Sequence, residues 1–168
     1  YLHKTVLSAE YLLINVLARA RELVLSGIEI FATPVFKAFL SSEITLDDFT
    51  YNRPVEGRKT LELFTNLDDN DIIASIKEWQ NHPDKILSYL SRCIINRRLY
   101  KIKVSKKPIS EQKIVLLKEK ICSHFKVNDD ELHYFLIVNT ISNSAYNHAA
   151  NDKIKVLFTK KGISELDE

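Results

Sequence analysis

Residues 84–104 read DKILSYLSRCIINRRLYKIKV, and the hydrophobic period changes inside them. Ile86, Leu87, Leu90 and Ile94 recur at three- and four-residue steps, the stripe of an amphipathic helix. From Leu99 the step becomes two. Tyr100, Ile102 and Val104 alternate with Leu99, Lys101 and Lys103, which is the pattern of a strand. The change of period divides the chain into a helical part, residues 1–98, and a β-containing lobe, residues 99–168.

Upstream of that point every segment reads as helix or turn. Leu2, Val6, Ala9, Leu13, Val16, Ala20 and Leu23 stripe a helix over residues 1–25 that ends near Ser26-Gly27. Thr33 caps a short helix with Pro34 at its first position. Thr45-Leu46-Asp47-Asp48 resembles a capping box. Residues 50–58 read as a loop, and 61–64 as a short helix. Asp68, Asp69 and Asn70 cap a helix carrying Ile72, Ile73, Ile76 and Trp79, and His82-Pro83-Asp84 opens the next with Pro83 as its first residue. Downstream, Ser110 caps a helix with Ile114, Leu117, Ile121 and Phe125 on one face. YFLIVNTI (134–141) and KIKVLFT (153–159) read as the second and third strands, and 162–168 as the start of an unfinished element. The expected class is α+β: a mainly helical part, then a small βαββ lobe with an antiparallel or mixed sheet.

Composition narrows the function classes. The 168 residues carry 24 basic and 22 acidic side chains, so the chain is no wholesale polycation. A hydrophobic fraction of 45% argues against a disordered tail. No apolar run approaches the ~20 residues of a membrane span, and the first residues lack a signal-peptide layout. Cys93 and Cys122 form no disulfide framework, which fits a reducing, cytoplasmic setting. There is no Met, the chain starts at Tyr1, and no Ser, Thr, Asp or Asn precedes the first stripe. The first helix is therefore expected to lack its start, as in a fragment.

The chemistry-bearing motifs are few. Three glycines build no phosphate-cradling loop, and there is no HExxH or close Cys/His cluster. His3, His82, His124, His133 and His148 are scattered. The cysteines read as small core fillers, and Asp68, Asp69 and Asp71 as helix-start compensation. No catalytic or metal-binding residue is assigned. Charge, however, is segregated: residues 41–84 carry net −6 and residues 92–120 net +8. The basic stretch centres on NRRLYKIKVSKK (96–107). In a strand, Lys101 and Lys103 share a face, and Arg97 joins them if the extended backbone begins early. An Arg fork with ammonium groups on one face suits a polyphosphate. The same lysines could protect a sheet edge or form a solvated face. A single-stranded nucleic-acid surface is a further reading, but Tyr100, the one aromatic there, has the inward parity of Ile102 and Val104. Charge-driven self-association is another.

Two segments, YLHKTVLSAEYLLINVLARAREL (1–23) and LDDNDIIASIKEWQNHPDKILSYLSRCIINRRLYKIKV (67–104), resemble the region after the catalytic core of HD-domain phosphohydrolases. The branch they most resemble is the deoxynucleoside triphosphate triphosphohydrolases. The shared pattern is Y-x-H-K opening a helix, L-D-D before a helix, and R-x-L-[FY]-K leading into a β-containing lobe; SNSAYNHAANDKIKVLFTKKG (142–162) resembles a later strand of that lobe. The resemblance implies a divalent metal such as Mn, Mg or Fe, held by an early His, a His-Asp dipeptide and a later Asp. This sequence has no His-Asp dipeptide, so the metal centre is expected outside it and the chain alone is expected to be inactive. The resemblance implies that Tyr1 lies against a substrate sugar. It implies that His3, Lys4, Arg97, Lys101 and Lys160 reach a nucleotide effector, a deoxynucleotide or GTP, at a homo-oligomer interface. Leu2 and Arg98 depart from regulated relatives, which carry a polar and a neutral residue there.

Overall fold

In the first helix, the stripe that faces inward is Leu12, Val16, Ala20 and Leu23, all buried. Their 4-4-3 spacing keeps them on one side of α1 (Lys4–Leu25). The computed structural model describes residues 3–105, 107–139, 155–158 and 162–165. Helix α1 opens on a histidine. His3 has extended backbone, and its Nδ1 accepts from the Thr5 amide at 3.3 Å. The end is a paired closure: the amides of Gly27 and Ile28 donate to Val24 and Leu23, with Gly27 at φ +80°. That left-handed position favours glycine.

Thr33 Oγ1 accepts from the Phe36 amide and starts α2 (Pro34–Ser41). Asp48 Oδ2 accepts from the Thr45 amide at 2.8 Å and opens α3 (Leu46–Thr50). The stretch expected to be a loop contains a small hairpin instead. Strands β1 (Pro54–Val55) and β2 (Arg58–Lys59) pair antiparallel across Glu56-Gly57. Both turn residues have positive φ, the backbone that a two-residue hairpin needs. After α4 (Thr60–Asn66), Asp68 accepts from the Asn70 and Asp71 amides at the start of α5 (Asp69–Trp79). Helix α6 (Lys85–Ile95) begins one residue later than expected. Asp84 is its cap, accepting from the Leu87 amide at 2.7 Å, and Pro83 precedes the cap.

Helix α6 is the centre of the unit. It packs on α1 and α5, burying Ile86, Leu87, Leu90 and Cys93 against Ile76, Trp79 and the α1 stripe. Trp79 is fully enclosed, and its indole N–H donates to the Phe31 carbonyl at 2.7 Å, so its one polar atom is satisfied. Helix α7 (Glu111–Phe125) follows, then a 3₁₀ turn at Leu132–Tyr134. Residues His3–Ile137 form one compact unit. In the second unit, β3 (Lys155–Phe158) pairs antiparallel with β4 (Gly162–Glu165), Leu157 opposite Ile163.

The α+β class holds, with two strand assignments corrected. Residues 99–104 form no ladder, and neither do 134–139, whose first residue ends the 3₁₀ turn. The third expected strand is β3, and β4 falls where an unfinished element was expected. No helix among the described residues is long and apolar enough to cross a membrane.

Candidate functional site

The segment that carries the basic residues is tied to α1 by polar bonds rather than by a sheet. Ser8 Oγ donates to the Tyr100 carbonyl at 2.8 Å. The Tyr100 hydroxyl donates to the Tyr134 carbonyl at 2.6 Å. Asn15 Nδ2 donates to both, at 3.1 Å to the hydroxyl and 3.2 Å to the carbonyl. Seven residues of helix rise about 10 Å, so Tyr100 lies along two turns of α1. Burial pushes the Tyr100 hydroxyl up to about 12, which keeps it protonated and able to donate. These bonds occupy the Tyr100 and Tyr134 carbonyls, two acceptors that a ladder would otherwise use.

This tether decides which predicted residues share a neighbourhood. Lys4 lies one turn before Ser8 on the same face of α1. Lys101 directly follows Tyr100. The Ser8–Tyr100 bond therefore brings the backbone of Lys101 to the first turns of α1, beside the start of the helix where His3 and Lys4 sit. Arg97 is not on a strand face. It ends α6 in the left-handed region at φ 54°, with its amide on Ile94 and the Arg98 amide on Cys93. His3, Lys4, Arg97, Arg98, Lys101 and Lys103 are all exposed. The ion pairs among the described residues involve Arg19 and Arg53 alone, so none of these cations is neutralised by a carboxylate. Lys103 lies beside Lys113 of α7, and its ammonium holds the Lys113 pKa below the ordinary lysine value. Tyr1 and Lys160 lie outside the described residues.

Among the described residues, no three His, Cys, Asp or Glu side chains converge to hold a metal ion. No chemical step is assigned to a metal in this chain. What the arrangement offers is cationic: His3 and Lys4 open α1, Lys101 follows the tethered Tyr100, and among the described residues no carboxylate pairs with Lys4 or Lys101.

Sequence reasoning missed Ser8 and Asn15. Their signal was present, since both sit on the buried face of α1 with Leu12 and Val16, where polar residues need partners. Tyr100→Phe removes the hydroxyl from this network and leaves the Tyr134 carbonyl with Asn15 alone. It should lower unfolding free energy by about 1–2 kcal/mol in urea denaturation. Unchanged stability would mean that the tether does not hold the segment.

No family model matches the chain. It is 30% identical over 146 residues to the uncharacterized protein YwfO of Bacillus subtilis, a match covering 87% of this chain and 30% of that protein. It superposes on a solved phosphohydrolase of Bacteroides thetaiotaomicron with a TM-score of 0.80 and 39% identity, covering 98% of this chain and 39% of that one. Fold and sequence are thus shared with part of a phosphohydrolase. The chain spans about a third of the length of the relatives it matches.

Proposed function

We propose that this chain is the C-terminal regulatory and assembly portion of an HD-type, metal-dependent (deoxy)nucleoside triphosphate phosphohydrolase. The metal and the hydrolytic site belong to the rest of the longer polypeptide, and the chain alone turns over no nucleotide. Residues 1–98 continue the helical core and 99–168 begin its C-terminal lobe. The basic end of α1 binds the phosphates of an effector, a deoxynucleotide or GTP, at an interface between copies of the protein.

One observation carries this reading. Arg97 and Lys101, matched to the effector-contacting Arg and Lys by resemblance, flank Tyr100, which Ser8 and Asn15 fix to the helix that opens with His3 and Lys4. The 39% identity to a phosphohydrolase over nearly the whole chain supports the parent activity.

That backbone offers a test with opposite signs. Glycine populates left-handed φ freely, so Arg97→Gly should leave stability equal or raise it by up to about 1 kcal/mol. The same change removes a guanidinium contact to phosphate, and GTP affinity should fall about tenfold or more by calorimetric titration. A variant that is stabilised and binds GTP as well as the wild type would remove Arg97 from the site.

A further inference from the structure

The outer face of α6 carries Lys85, Tyr89 and Arg92 at four- and three-residue steps, so a cation, a ring and a cation lie in line along the helix. They border a cavity of about 280 Å³ closed on its other side by Phe125, at the end of α7, and Phe135. The rings form a corner. Phe125 and Phe135 stack at 4.5 Å between centroids, and Tyr89 stands edge-on to Phe125 at 5.0 Å. All three rings keep some exposure, and Tyr89 is 39% exposed. No carboxylate lines the cavity. Arg92 is held in place, its Nε on the Gln80 carbonyl and its Nη2 on Ser88 Oγ. Among the described residues, Nη1 takes no partner and Lys85 makes no ion pair.

We infer that this cavity is a second binding site, for a planar aromatic ring bearing one anionic group, such as a nucleoside monophosphate. The ring stacks in the aromatic corner, where base–aromatic contact tolerates any base. The anion meets Lys85 or the free Nη1 of Arg92, a fixed guanidinium and a mobile ammonium suited to an oxyanion. Size sets the class: the volume lies just below the ~300 Å³ at which pockets for drug-sized ligands begin, so one ring system fills it. The residues are distinct from Arg97 and Lys101, and the inference does not depend on the effector reading.

Calorimetric titration of AMP, adenosine and ribose 5-phosphate into the chain separates ring from charge. AMP should bind at least tenfold more tightly than either part, because only AMP engages both the corner and a cation. Lys85→Glu changes an exposed side chain and should reduce AMP affinity at least tenfold without lowering the melting temperature. Tyr89→Ser should abolish AMP binding, and Lys101→Ala should leave it unchanged. If AMP does not bind, or binds Lys85→Glu and Tyr89→Ser as it binds the wild type, the corner is only packing between α6 and α7 and the inference is overturned. AMP binding lost with Lys101→Ala but kept in Lys85→Glu would place the nucleotide at the basic end of α1 instead and overturn it as well.

Discussion

Asp84→Ala is expected to lower the unfolding free energy by about 3 kcal/mol and the melting temperature by about 6–12 °C. Asp84 does two jobs with one carboxylate. It caps α6 through the Leu87 amide, and it holds Arg19 of α1 by a two-point contact, 2.6 Å at Nη2 and 3.2 Å at Nε. Both side chains are mostly buried, at 17% and 16% exposure. Removing the carboxylate leaves a guanidinium largely out of water, with Glu22 and the Tyr134 ring as its remaining partners. Loss of the cap alone costs about 1 kcal/mol, and the stranded charge supplies the rest. Burial opposes the charge on Asp84, but the Arg19 and Leu87 hydrogen bonds outweigh it, so its pKa lies below the ordinary carboxylate value. A depressed folded pKa contributes stability that is present above the unfolded pKa and lost as pH falls through the folded one. Wild-type stability should therefore fall as pH drops below about 4, and Asp84→Asn should flatten that fall. Denaturant titrations at neutral and acid pH check both statements; a variant within about 0.5 kcal/mol of wild type would show that the pair is marginal.

Removing both Arg97 and Lys101 should weaken GTP binding by about a hundredfold or more. Each well-formed charge-assisted contact to phosphate contributes about 1.5–3 kcal/mol, and about 1.4 kcal/mol is a decade in affinity. The basic segment is fixed by the backbone and hydroxyl of Tyr100, not by the charged side chains, so the double alanine variant should keep its fold. Its melting temperature should stay close to wild type, since among the described residues neither side chain makes an ion pair. A variant that loses solubility while GTP affinity stays constant would favour the sheet-edge reading of the lysines. One that loses single-stranded RNA binding and keeps GTP would favour the nucleic-acid reading.

The helices were legible because local signals governed them. The caps at Thr33 and Asp68 and the closure at Gly27 are settled within a few residues, and the stripes of α1 and α6 face one another as their spacing requires. Asp84 shows the limit of such signals. Proline before it reads as a first helical residue, but the carboxylate that accepts from Leu87 is the cap. The segment 99–104 failed for a longer-range reason. Alternation places Lys101 and Lys103 outward and Tyr100 inward in any extended chain, and only a partner makes a strand. Here the partner of Tyr100 is α1, through Ser8 and Asn15, a pairing that no local period reveals. The cations of the candidate site were found through charge and resemblance. The two residues that fix them in place were not, because a Ser and an Asn on an apolar helix face announce only that some partner exists.

Triphosphate release from deoxynucleoside triphosphates by the longer polypeptide containing this chain, with and without GTP, tests the central claim most directly. The account predicts metal-dependent hydrolysis that GTP stimulates in the wild type, and loss of the stimulation in Lys101→Ala with binding of the metal unaffected. Hydrolysis that ignores both GTP and the substitution, or no hydrolysis by the longer protein at all, would contradict it.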